Sequence, residues 1–211
     1  MARRALPKLD PQVDFSDNFR IGEDLTPGDP NRWFERAAPL VVEVGSGKGR
    51  FLLRSGEEHP DVNFLGIELA PRYAQFIAYR AARKNLRNVR AVHGDALRLF
   101  RDVLPDESIK EVHVYFPDPW WKKRHHKRRV MTPAFVADVS RVLKSDGRLH
   151  FRTDVRQYHE GSLEILAQAL RLQGPIDVPE VEDAERDCRT HRELRCHAAG
   201  EPIYRAEFVK Q

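Results

Sequence analysis

The sequence predicts an α/β fold, doubly wound around a mostly parallel sheet, and three observations carry that expectation. From Leu40 onward, short apolar runs alternate with longer amphipathic ones, the pattern of strand–helix–strand units. An acid stands at or just past the end of each run: Glu43, Glu68, Asp95, Asp118 and Asp154. The first run opens into the glycine-rich turn Gly45-Ser46-Gly47-Lys48-Gly49. At 211 residues, the chain has the length of one domain with a full core.

Taken in order, residues 1–37 hold Pro7, Pro11, Pro27 and Pro30 with mixed charge and little periodicity, so an extended arm is expected there. Residues 38–211 are expected to form the single domain. The spacing places strands at Leu40–Val44, Asn63–Ile67, Val89–His93, Glu111–Phe116 and Arg148–Thr153. Helices are expected over Arg50–Glu58, Arg72–Leu86 behind Pro71, Ala96–Val103 and Arg156–Leu172. A further helix has the clearest start: Thr132 can cap it and Pro133 suits its first position. Phe135, Val136, Val139, Val142 and Leu143 then fall on one face, and Asp146-Gly147 turns the chain into the next strand.

No stretch is apolar and long enough to cross a bilayer, and the basic residues of Met1–Pro7 have no apolar run behind them. A soluble, cytoplasmic protein with no membrane partner is the expectation. Cys188 and Cys196 are the only cysteines, which suits a reducing compartment. With His191 and His197 they are metal-capable types, yet they lack the paired C-x-x-C spacing of a structural zinc site, so no metal is expected.

The formal net charge is +4, and six basic residues lie in one short stretch: Lys122, Lys123, Arg124, Lys127, Arg128 and Arg129. The remainder of the chain is therefore slightly acidic. A local cationic ribbon, with Trp120, Trp121, His125 and His126 interleaved, neutralises phosphates and releases their counterions, so a nucleic-acid partner is expected.

In an open α/β sheet, ligands bind outside the carboxyl ends of the strands, so the five acids should ring one crevice. Such a rim suits a cationic ligand rich in hydroxyl and amino donors. The turn after the first strand narrows the choice. A phosphate-binding P-loop needs Ser or Thr after Gly-Lys, but Gly49 follows Lys48. A dinucleotide fingerprint needs a small residue where Arg50 stands. What remains is E-x-G-x-G-x-G, beginning at Glu43, with Gly45 and Gly47 letting the backbone approach a ligand closely.

That loop resembles the nucleotide loop of the class I S-adenosylmethionine methyltransferases. The resemblance makes Glu68 the acceptor of the ribose hydroxyls and Gly94-Asp95-Ala96 the turn that reads the adenine amino group. The string Phe116-Pro117-Asp118-Pro119-Trp120 and the basic run behind it are similar to a narrower group, the bacterial tRNA (guanine-N7-)-methyltransferases. Thr153-Asp154, Thr190-His191-Arg192-Glu193 and the stretch from Gly200 to Phe208 continue the likeness, which thus spans residues 43–208. It implies a seven-stranded sheet, S-adenosylmethionine as methyl donor, tRNA rather than DNA as partner, and guanosine 46 of the variable loop as target. Glu43, Gly45, Gly47, Glu68, Asp95 and Asp118 would contact the donor, with Asp118 also catalytic. Lys122, Asp154, Thr190 and Glu193 would contact the guanosine. His191 and Arg192 depart from the family, which often carries a bulky aromatic or hydrophobic residue in that segment.

Guanine N7 presents an in-plane lone pair and no proton, so the chemistry needs no obligatory general base. The site's tasks would be to hold the reacting atoms about 3–3.5 Å apart and to offset the positive charge that develops on the purine. Two rivals stay open: a methyltransferase acting on an exocyclic amino group, suggested by Asp118-Pro119-Trp120, and a catalytically silent RNA-binding module. A nicotinamide-dependent oxidoreductase is disfavoured by Arg50. Monomer and homodimer are both compatible with the sequence.

Overall fold

The apolar runs become strands because each places β-branched and aromatic side chains against helices on both faces of one sheet. A computed structural model describes residues 6–176 and 190–211. Its elements in chain order are β1 (Phe19–Ile21), β2 (Leu40–Val44), α1 (Arg50–Glu58), β3 (Asn63–Glu68), α2 (Pro71–Arg83), β4 (Val89–His93) and α3 (Ala96–Asp102). There follow β5 (Ile109–Tyr115), α4 (Pro133–Val142), β6 (Leu143–Thr153), α5 (Arg156–Leu166), β7 (Leu172–Ile176), α6 (His191–Ala199) and β8 (Tyr204–Lys210).

The strands form one sheet in the order β1-β4-β3-β2-β5-β6-β8-β7. All pairings from β1 to β6 are parallel, whereas β8 runs antiparallel to both β6 and β7. The chain winds outward from β2 in both directions, so β2 and β5 flank the switch point where such folds bind ligands. On one face α3, α4 and α5 bury Leu99, Phe100, Phe135, Val136, Val139, Tyr158 and Leu166. On the other, α1 and α2 bury Leu52, Leu53, Ile77, Ala78 and Ala81. Fully burying each Leu, Ile, Val or Phe among these contributes about 1.5–3 kcal/mol. The start of α4 forms as expected, with the Thr132 hydroxyl accepting from the Phe135 N–H at 3.2 Å.

Among the described residues the sheet has eight strands rather than seven, and the extra one comes from the arm. Phe19, Arg20 and Ile21 pair with Ala91, Val92 and His93 on the free edge of β4. Side chains explain the attachment. Phe15 packs edge-on against Phe19 and Tyr79, and the Asn18 amide donates to Leu86 O and Val89 O at 2.9 and 2.8 Å. Arg90, buried in β4, donates to Trp33 O at 2.7 Å and lies over the Phe34 ring. Two helices end earlier than expected. Beyond Arg83, Asn85 turns left-handed at φ 54°, and the expected helix over Arg156–Leu172 gives way to β7 at Leu172.

Candidate active site

Five parallel strands, β4, β3, β2, β5 and β6, stand side by side. Asp95, Glu68, Glu43, Asp118 and Asp154 therefore line up in that order along the carboxyl rim. At about 4.8 Å per strand the row spans roughly 19 Å.

At its centre Glu43 is 3% exposed, and its Oε2 has no hydrogen-bond partner among the described residues. Burial pushes this carboxyl up to about 8, and the charge of Glu68 adds to the rise. The loop after β2 turns through three left-handed glycines, Gly45 (φ 75°), Gly47 (φ 54°) and Gly49 (φ 69°). A side chain on Gly45 or Gly47 would meet nothing within 4 Å, so both leave open space above the rim. Gly49 differs: a Cβ there would lie 2.7 Å from Ile77 Cγ1 of α2. Gly45 N and Ser46 N donate to Ile67 O at 2.8 and 3.3 Å, which clamps the loop to β3.

Glu68 serves the same clamp. Its two carboxylate oxygens accept from Gly47 N at 2.7 Å and Ala70 N at 2.9 Å. One strand over, Gly94 N donates to Glu68 O at 3.1 Å, and Asp95 Oδ1 accepts from Leu97 N at 2.9 Å to cap α3. Of the donor residues expected from the sequence, Gly45, Gly47, Glu68 and the Gly94-Asp95 turn are thus tied together by backbone hydrogen bonds.

Asp118 follows β5 and is exposed. It sits between Phe116 (φ 49°) and Trp120 (φ 48°), two non-glycine residues in the left-handed region. Each such residue stores about 1–3 kcal/mol of strain, the kind that fold-imposed contacts hold at functional turns. The holding contacts are Phe116 N to Arg152 O at 2.7 Å and Arg129 Nε to Pro119 O at 2.8 Å. Lys122 is exposed beside a 3₁₀ turn over Lys123–Arg128. Trp120 is covered by Arg128, 5.0 Å from its ring centroid, and by the edge of His125, while Trp121 is 72% exposed.

The other expected guanosine contacts are already engaged. The Asp154 carboxylate accepts from Arg192 Nε at 2.9 Å and from Arg192 Nη2, which also reaches Glu201 at 2.8 Å. Thr190 Oγ1 accepts from Glu193 N at 3.1 Å and caps α6. Glu193 is 1% exposed; one oxygen accepts from Arg152 at 3.0 Å with Arg205 at 3.7 Å, and Oε2 has no partner among the described residues. Cys188 lies outside the described residues. Cys196 is buried, with its thiol 3.7 Å from Glu201.

A cavity of about 560 Å³ opens on the α1 face of the sheet, lined by Tyr115, Arg152 and Glu193 near the rim and by Glu111, His113 and His150 deeper in. The sequence reading missed this cluster. His113 and His150 stack at 4.3 Å. His113 contacts the Tyr115 hydroxyl at 2.6 Å and Glu111 at 3.2 Å. His150 contacts Glu207 at 2.8 Å, and its Nε2 lies 3.3 Å from Glu111, a charge contact rather than an aligned hydrogen bond. Burial, with the charge of His150, pushes His113 down to about 3. Burial also works against a charged His150, but Glu111 and Glu207 outweigh it and raise its pKa. Glu111, His113 and His150 bring potential metal ligands within 4.8 Å of one another, yet each ring nitrogen already faces a protein partner. The signal was alternation: Glu111, His113 and Tyr115 on β5, His150 and Arg152 on β6, and Arg205 and Glu207 on β8 all point to one face.

A switch-point crevice, a glycine loop and a rim of acids define a class I methyltransferase. Two solved structures share that fold: the 16S rRNA methyltransferase KamB (TM-score 0.60, 16% identity, 83% of this chain and 88% of that one) and an S-adenosylmethionine-dependent methyltransferase from Aquifex aeolicus (TM-score 0.56, 13% identity, 87% and 94%). The family model Methyltransf_4, described as "Putative methyltransferase", matches residues 37–206. Curated tRNA (guanine-N(7)-)-methyltransferases align over most of the chain. That of Rhodopirellula baltica is 40% identical over 100% of this chain and 81% of its own length, and that of Actinobacillus pleuropneumoniae 36% over 92% and 78%. The chain belongs to the tRNA (guanine-N7-)-methyltransferase family.

Proposed function

We propose that this chain transfers a methyl group from S-adenosylmethionine to N7 of a tRNA guanosine, guanosine 46 of the variable loop by family resemblance. The observation that carries the reading is the row of five rim acids centred on buried Glu43, whose Oε2 has no partner among the described residues, with the cationic turn Lys123–Arg128 following Asp118 along the chain. The residues present fit the donor. Gly45 and Gly47 leave room for it, Glu43 offers an unpaired acceptor to its cationic end, and Glu68 and Asp95 offer oxygens to its hydroxyl and amino groups. When bound, S-adenosylmethionine supplies an electrophilic methyl group on a sulfonium.

The chain's own residues then have three tasks. Asp118, presented by a strained turn, accepts hydrogen bonds from the N1 and amino hydrogens of guanine and offsets the charge that grows on the purine; adenine presents an acceptor at N1 and is disfavoured. The basic turn neutralises tRNA phosphates, and exposed Trp121 offers a stacking surface worth about 1–3 kcal/mol per base against the unstacking of the target. Asp154 and Glu193 are further acceptors for the guanine edge, and Asp154 reaches it by exchanging Arg192 for substrate. Among the described residues no helix is long and apolar enough to cross a membrane. A tRNA substrate suits work in the cytoplasm.

Incubating the purified chain with labelled methyl donor and unmodified tRNA, followed by nucleoside analysis, tests the reading. Label in 7-methylguanosine is expected, and its loss when guanosine 46 is replaced would support the variable-loop target. Label on an exocyclic nitrogen, or none, contradicts the proposal.

A further inference from the structure

The arm reaches the donor site, and its chemistry there is wrong for RNA. The β1–β4 register sets Ile21 opposite His93, so Gly22 and Gly94 leave the sheet side by side. Neither has a positive φ. Their value is closeness. A Cβ on Gly22 would lie 3.1 Å from His93 O and 3.2 Å from Gly94 Cα, and one on Gly94 would lie 3.2 Å from Gly22 Cα. Backbone meets backbone, and no side chain can intervene without parting the two.

A second tie closes a ring. Arg98, on the helix that Asp95 caps, donates from Nη1 to Gly22 O at 3.0 Å. The path Gly22–Gly94–Asp95–α3–Arg98–Gly22 therefore ties the arm to the turn and helix that carry Asp95, whose carboxylate accepts from Leu97 N, while Gly94 N is bonded to Glu68 O at 3.1 Å. Charge separates this role from RNA binding. Between Phe15 and Asn31 the arm carries Asp17, Glu23, Asp24 and Asp29 against the lone cation Arg20, whose guanidinium is turned onto Ser16 O and Phe19 O. Glu23 and Asp24 are exposed beside the rim, where they repel phosphates and favour a cation.

We infer that the arm is a wall of the donor site, with Gly22 a positioning residue that sets the Gly94-Asp95 turn for S-adenosylmethionine; the inference rests on the donor site proposed above. Arg98 secures the wall. Residues 15–31 of the arm thus act on the methyl donor rather than on tRNA.

The test compares Gly22→Ala, Gly22→Val and Arg98→Met with the unaltered chain. Donor affinity is measured by calorimetric titration of S-adenosylmethionine without tRNA, tRNA affinity without donor, and kcat and KM for each substrate. Displacement of a positioned group by a fraction of an ångström predicts donor Kd raised about threefold in Gly22→Ala and about tenfold or more in Gly22→Val. The donor KM rises in step, while kcat at saturating donor and the tRNA Kd stay within about twofold of wild type. Arg98→Met leaves the arm's backbone intact, so it carries the test if Gly22→Val does not fold; a severalfold rise in donor Kd alone is expected. Unchanged donor affinity in the folded variants, or a loss confined to tRNA affinity, overturns the inference while leaving the methyltransferase reading standing. A wild-type chain that binds no donor overturns that reading, and this inference with it.

Discussion

The proposed donor half of the site and the proposed guanosine half are held by different means. At the donor half, Glu68 and Asp95 are fixed by backbone N–H groups of the loops they serve, so the crevice is set before any ligand arrives. At the proposed guanosine half, Asp118, also expected to touch the donor, stands exposed on a strained turn, and Asp154 is occupied by Arg192. Backbone clamps give a rigid pocket for a small ligand. Side-chain pairs that can exchange partners suit a macromolecule that must be unstacked as it binds.

Breaking the guanosine half should cost rate, and breaking the donor half should cost affinity. The largest effect is expected for Asp118→Ala, which removes the charge-offsetting carboxylate: kcat falls about 100-fold or more with the melting temperature little changed. Full activity in steady-state assays would refute its role. Glu68→Ala comes next, because two charge-assisted hydrogen bonds to backbone go with it, each worth about 1.5–3 kcal/mol. Weaker donor binding and a lower melting temperature are expected together; a drop in only tRNA affinity would reverse the assignment of halves.

Smaller effects sharpen the contrast. Neutralising Arg124, Lys127 and Arg128 should weaken tRNA binding and lower the log–log salt slope by roughly one unit for each phosphate no longer neutralised, leaving donor binding untouched. A constant slope would move the RNA surface elsewhere. The histidine cluster predicts acid sensitivity. His113 is held neutral with a folded pKa of about 3, so its stability contribution erodes as pH falls below the unfolded value of 6.5. Glu111 and Glu207, both lowered first of all by bonds to the histidines, contribute stability above their unfolded value of 4.5 and lose it on acidification. His150, raised, contributes stability fully present below 6.5 and lost as pH rises through its folded value. Melting scans should show falling stability from about pH 6.5 downward, less steep in His113→Gln; parallel scans would deny the cluster this role.

The placement of the glycine loop and the rim acids was legible in the sequence because its logic is local. Strand, left-handed glycines and a terminal acid follow one another along the chain, and the parallel order of β4, β3, β2, β5 and β6 then places the acids in one row. The arm was not legible. Gly22 looks like any loop glycine until β1 pairs with β4, and nothing in residues 15–25 announces a three-residue strand. Thr190 and Glu193 show the same gap: the T-x-x-E spacing is a helix cap as well as a family motif, and only the fold reveals that Glu193 is turned onto Arg152. The histidine lattice draws from β5, β6 and β8, so its residues are polar exceptions in apolar strands until the sheet assembles them.

The central claim is that buried acid at the sheet's rim receives a cationic methyl donor, and Glu43 tests it most directly. With a folded pKa of about 8 the carboxyl is largely protonated at pH 7, and a cation placed against it lowers that value and expels the proton. Titration of S-adenosylmethionine into the chain at pH 7, in two buffers of different ionisation enthalpy, should show binding with release of close to one proton, abolished in Glu43→Gln. Binding with no proton release, or no binding at all, would contradict the account.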